Sequence, residues 1–133
     1  MSFENTKVVR QMLEAWNRRD ADAALEFLAP DAVEDWSRSI GPMEGIFDGH
    51  AEIREHWMLF WDVFETIRLV PEEFIEAGDR VIVPHLVEAR GRGGVTTQAR
   101  GALVYDLEGG LLTRSTIYQD RAEALAALGV PPA

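Results

Sequence analysis

The spacing of apolar residues changes period once along this chain, and that change limits the folds open to it. Through about residue 64 the apolar positions recur every three or four residues; from Ile67 onward they alternate. A 3.6-residue period belongs to helices packed by one stripe, and a period of two to strands with one face turned inward. Helices first and strands second means an α+β chain with the helices gathered on one face of a sheet.

Val9, Met12, Leu13 and Trp16 form the first stripe and predict a helix capped by Asn5, with Arg18 and Arg19 in its last turn. Asp20 caps a second helix over 21–28, stopped by Pro30. A short strand over 32–36 precedes a loop at 37–48, and a third helix over 50–64 carries Ile53, Trp57, Phe60, Trp61 and Phe64 inward. Residues 67–77, 80–90, 95–107 and 111–119 read as strands whose short turns suit antiparallel hairpins, and 122–128 as a closing helix. No linker or repeat divides the chain, so residues 1–133 form one domain. Val81, Val83 and Val87 lie on one parity of their strand while Ile82 and Leu86 lie on the other. A sheet with one wet face alternates apolar and polar residues. Both faces are therefore covered, one by the helices and the other by a second copy, which predicts a homodimer.

Acidic residues outnumber basic ones by 23 to 13, for a formal net charge of −10. Such a surface repels phosphate backbones, so nucleic acid is not an expected partner. The chain has no cysteine, which removes disulfides and thiolate zinc sites. Residues 1–5 lack the pattern of a secretory leader, and no apolar run has the length of a membrane helix. A cytoplasmic protein with no membrane partner is expected.

Three phrases, in their order, carry a family likeness. Asn17-Arg18-Arg19-Asp20 is followed by Ala24 to Asp31; Gly49-His50-Ala51-Glu52-Ile53-Arg54 opens the third helix; Tyr118-Gln119-Asp120-Arg121 leads to Leu128-Gly129. Together they resemble the nuclear transport factor 2-like superfamily, in its SnoaL-like branch. The resemblance implies a cone-shaped roll, with a curved antiparallel sheet wrapped around the helices, a small-molecule pocket at the cone mouth and often a homodimer. It implies no single reaction, because one fold hosts many chemistries.

The chemistries of that superfamily fit this chain unequally. The tyrosine, base and aspartate of ketosteroid isomerases fall on Met12, Trp36 and the Ala102–Leu103 region, so that set is missing. The arginine–aspartate alternation of limonene epoxide hydrolases fails where Ala102 follows Arg100. Of the SnoaL-like polyketide cyclases the resemblance retains one carboxylate, Asp120, with Leu103 at the usual histidine position.

The candidate catalytic residues are Asp120 and His85. Asp120 is either an interior acid sharing a face with Tyr118, or the cap of the last helix. His85, mid-strand among valines, is either a proton shuttle or hydrogen-bonded core. Trp16, Trp36, Trp57 and Trp61 exceed what a small core needs and predict an aromatic-lined pocket for an apolar ligand. Arg100 either clamps a substrate anion or pairs with Glu88, and Tyr118 orients the ligand. Of the neighbours Glu34 and Asp35, Asp35 is expected at the cone mouth and Glu34 facing away, since adjacent strand residues point apart. His56 is expected to face water, and His50 to lie in the first turn. No metal cluster and no cofactor is expected. The sequence thus leaves two functions open: a cofactor-free acid–base enzyme of cyclase, isomerase or dehydratase type on a small carbonyl or polyketide-like compound, or a non-catalytic ligand-binding or dimerisation protein.

Overall fold

Val9, Met12, Leu13 and Trp16 are all buried, on one face of helix α1 (Ser2–Asn17), as their spacing predicts. The computed structural model describes residues 2–39 and 43–131. At the end of α1 the Arg19 N–H bonds the Trp16 carbonyl at 2.9 Å and the Asp20 N–H bonds that of Ala15 at 3.0 Å. Arg19 sits at φ 60° in this closing turn, where glycine is usual because it has no Cβ to strain. The arginine costs on the order of 1–2 kcal/mol there, and its guanidinium offsets that by donating to the carbonyls of Trp61, Phe64 and Glu65 at the end of helix α3 (Gly49–Val63). Asn17 both donates to and accepts from the Leu69 backbone at 2.9 Å, as a neighbouring strand would. Asp20 accepts from the Ala23 N–H and caps helix α2 (Ala21–Leu25). Arg18 and Arg19 thus lie beyond the last turn of α1, and Arg19 serves the end of α3 instead. Asn5, predicted as the cap, lies inside the helix.

Among the described residues seven strands make one sheet: β1 (Leu28–Trp36), β2 (Gly45–Asp48), β3 (Phe64–Pro71), β4 (Ile75–Ala77), β5 (Arg80–Gly91), β6 (Thr96–Glu108) and β7 (Leu111–Tyr118). Their order is β2-β1-β7-β6-β5-β3, with β4 beside β5. The predicted hairpins are present, but β1 and β7 pair in parallel, so the curved sheet is mixed. That pairing needs a long crossover, which α3 and the intervening strands provide. The predicted strand 67–77 is broken between β3 and β4, where Pro84 of β5 has no N–H for the ladder and its carbonyl accepts from Glu72 at 2.8 Å. Strand β2 falls in the predicted loop 37–48, of which residues 40–42 lie outside the described residues.

On the inner face of the sheet Val81, Val83, Leu103, Tyr105 and Leu107 pack against α1 and α3 in the main core. On the outer face Ile82, Ala102 and Val104 are buried under Ala124 and Leu125 of helix α4 (Arg121–Leu128). Part of the apolar outer face thus has a cover within its own chain, while Leu86, the other apolar outer residue of β5, is half-buried and lies outside that cluster. No helix among the described residues is long and apolar enough to cross a membrane.

Candidate functional site

A buried acid–base pair lies where β1 meets α3. On β1, Ala32, Glu34 and Trp36 share the inner parity, and Glu34 stands beside Phe47 of β2 and Ser115 of β7. On α3, Ile53, His56, Trp57 and Trp61 follow the helical period and are all buried. Glu34 is 7% exposed and His56 1%. The His56 Nδ1 lies 2.5 Å from Oε2 of Glu34, and Trp57 donates its Nε1–H to Oε1 at 3.0 Å. On the other side of the ring, Nε2 lies 3.0 Å from the carbonyl of Met43.

These contacts fix where protons reside. A carbonyl only accepts, so His56 Nε2 carries a hydrogen. The Nδ1–Oε2 contact then holds one further proton, shared by a carboxylate and an imidazole that are both shielded from water. Phe47 stacks on the ring at 4.0 Å and Trp36 and Phe60 meet it edge-on, which holds its orientation.

Glu34 borders a cavity of about 50 Å³ lined chiefly by Trp16, Trp36, Trp57, Phe60, Leu103 and Tyr105. At roughly 10–15 Å³ per water, that space takes a few waters. Burial above all, with the Glu34 charge adding to it, holds the Tyr105 phenol far above its ordinary range, so it stays a protonated donor. Trp36 and Val87 also line a second recess of about 240 Å³ at the open end of the sheet, with His85, Gly101 and Tyr118. Trp36 is the shared wall. Its Nε1, like that of Trp61, is buried with no hydrogen-bond acceptor among the described residues. A wider depression, about 1370 Å³, is an open groove by the end of α1 lined by charges of both signs, among them Glu14, Arg18, Arg68, Glu88 and Arg90. It lies away from the buried pair and reads as solvated surface.

The candidates named from sequence fall into several places. Trp16, Trp36 and Trp57 line the inner cavity, whereas Trp61 stands behind it, its ring centroid 5.5 Å from that of Trp16 and 6.5 Å from that of Trp57. His85 is 2% exposed and lines the mouth recess. Tyr118 borders that recess with its ring under the Arg38 guanidinium at 4.9 Å. Arg100 stands exposed at the rim, paired at 3.0 Å with Glu72, a partner on another strand exit than the expected Glu88.

Three expectations are corrected. Asp120 is exposed and accepts the Glu123 N–H at 2.8 Å, capping α4, so its carboxylate does not face the interior. Asp35 turns outward and Glu34 inward, the reverse of the expected parity. Asp35 binds Arg114 at 2.6 Å and Ser37; burial pushes its carboxyl up, but the Ser37 hydrogen bonds and Arg114 together hold it below the usual range. His56 faces the core rather than water. Its signal was in the sequence, since it falls three residues after Ile53 and four before Phe60, inside the buried stripe. Glu34 had a weaker one, the parity it shares with Ala32 and Trp36. His50 contacts the carbonyls of Leu28 and Ala29 at 3.1 Å. Among the described residues no group of three or more His, Asp or Glu is placed to hold a metal ion.

The sequence profile of the SnoaL-like domain matches residues 9–115. The chain belongs to the SnoaL-like family. Solved structures agree across almost its whole length. An NTF2-like protein of unknown function from Burkholderia pseudomallei is 28% identical with a TM-score of 0.78, covering 92% of this chain and 95% of its own. TerC, co-crystallised with polyporic acid, is 26% identical with a TM-score of 0.78, covering 94% and 97%. A candidate polyketide cyclase from Xanthomonas campestris pv. campestris is 28% identical with a TM-score of 0.74, covering 94% and 96%. No curated protein matches this SnoaL-like chain at a significant level.

Proposed function

We propose that this SnoaL-like protein binds a small, largely apolar molecule between the mouth recess and the inner cavity, and acts on it as a cofactor-free acid–base enzyme through Glu34 and His56. The observation that carries the reading is a shielded carboxylate–imidazole pair at the edge of a tryptophan-lined cavity. Burying such a pair costs several kcal/mol unless its hydrogen bonds are complete. The similar structures favour an organic ligand, one being a candidate polyketide cyclase and another crystallised with polyporic acid.

The chemistry this set suits is proton transfer next to a carbonyl. The Glu34 carboxylate takes a proton from the carbon beside the carbonyl, His56 holds its own proton against the other oxygen, and the same proton returns to a second carbon. Tyr105, kept protonated, donates to the enolate oxygen as charge develops there. Rotation of Trp36 joins the two spaces that its ring now separates.

A second reading, a non-catalytic binder, is favoured by a different observation: both Glu34 oxygens already accept hydrogen bonds, so the carboxylate also works as a brace. One experiment separates the two. Intrinsic tryptophan fluorescence is titrated with aromatic ketones such as β-tetralone, and deuterium uptake at the carbon beside the carbonyl is followed by NMR in D2O. Saturable binding with enzyme-dependent uptake is expected, and Glu34→Gln should slow that uptake roughly 10²–10⁴-fold while ligand still binds. Binding without uptake would leave the binder. Absence of binding across a diverse set of ketones and aromatics would remove both.

A further inference from the structure

The mouth recess is lined by an imidazole whose outer nitrogen has a free lone pair. His85 sits opposite Gly101 across the β5–β6 pair. Its Nδ1 lies 3.0 Å from the Val83 carbonyl, which can only accept, so the hydrogen is on Nδ1. Burial, the largest influence, holds the imidazole below its ordinary value of 6.5, against the Val83 bond and the charge of Glu72. The ring is therefore neutral near pH 7 and its Nε2 is an acceptor. None of the hydrogen bonds made among the described residues uses that nitrogen.

Gly101 keeps the nitrogen open. A Cβ there would stand 3.1 Å from His85 Nε2 and 3.4 Å from the Tyr118 carbonyl oxygen. Gly101 is not among the glycines with positive φ, so its backbone does not require glycine. Space does. The recess beside it holds about 240 Å³, just under the roughly 300 Å³ at which drug-sized clefts begin, and Trp36, Val87, Ile117 and Tyr118 supply flat, apolar walls.

From this geometry we infer that the mouth recess is a subsite for a compact hydroxylated aromatic, a phenol or an enol of one or two rings, whose O–H donates to His85 Nε2. The lone pair disfavours an anion at that point. A cation finds no free charge either, because Glu72, the acid acting on His85, is already paired to Arg100 at 3.0 Å. The subsite rests on the small-molecule reading above and names the ligand class for its outer half.

The test uses 2-naphthol against 2-methoxynaphthalene, which keeps the rings and lacks the donor. Affinities are read from tryptophan fluorescence, and the His85 nitrogens from long-range 1H–15N spectra of labelled protein. We expect 2-naphthol to bind roughly tenfold more tightly and to move the Nε2 resonance, with 2-methoxynaphthalene leaving it in place. His85→Phe should bring the two affinities together while both compounds still bind, and Gly101→Ala should lower the preference by crowding Nε2. Equal affinities with an unmoved Nε2 overturn the subsite and leave the small-molecule reading intact. Failure of both compounds and of the ketones to bind overturns the two together.

Discussion

His85 ties local chemistry to pH. Its folded value lies below 6.5 because burial disfavours the charged ring more than the Val83 carbonyl and Glu72 favour it. As pH falls below 6.5 the unfolded chain takes up a proton that the folded chain resists. The contribution of His85 to stability is therefore complete above 6.5 and is lost progressively as pH drops toward the folded value. The carboxyls held low, Asp35 from 3.8 and Glu72 from 4.5, act in more acidic windows. Denaturant midpoints measured across the range below pH 6.5 should fall in the wild type, and His85→Gln should flatten that fall. An unchanged slope in the variant would mean that His85 is not desolvated. The pair of Glu34 and His56 shows the other face of residue-scale physics, since its proton count follows from one carbonyl that can only accept.

Helix α4 depends on both its ends. Asp120 accepts the Glu123 N–H at 2.8 Å, Glu123 returns the contact to the Gln119 N–H at 3.1 Å, and Gly129 closes the helix at φ 68°. This reciprocal arrangement satisfies donors that a helix start leaves open. Asp120→Ala should cost about 1 kcal/mol and Asp120→Asn far less, with ketone exchange unchanged in both. A large loss of exchange on either substitution would return Asp120 to the chemistry. Strand β1 gives the opposite lesson: its parity sends Glu34 inward and Asp35 outward, and nothing local to those two residues selects between the two registers. Phe47 of β2 and Ser115 of β7, paired with Glu34, belong to distant parts of the chain.

At the scale of the whole molecule, two small layers of core share one sheet. The inner layer is filled by α1 and α3, and the outer by α4 on Ile82, Ala102 and Val104. Removing residues 121–133 takes away that cover and bares apolar sheet, a surface that proteins seldom leave exposed. Sedimentation velocity should show the shortened chain associating with concentration more strongly than the full chain. Equal behaviour of the two would mean that the outer face needs no cover from α4.

Periodicity alone determined the helices-first, strands-second layout, the buried stripe of α1 and the hairpins β5–β6–β7, because these follow from contacts within one element or between neighbours in sequence. The family likeness was also legible, and the Asn17–Asp20 phrase that carried it proves to be a staple of helix ends to sheet. Tertiary structure decided the rest. Whether Asp120 capped or faced inward depended on how β7 leaves the sheet. The break after β3 depended on Pro84, twelve residues beyond Glu72 and lacking the N–H that the ladder needed. The candidate site joins Glu34, Met43 and His56 through one imidazole ring. A polar side chain gives no periodic signal of its own, and burial becomes tolerable only once partners from other elements complete its hydrogen bonds.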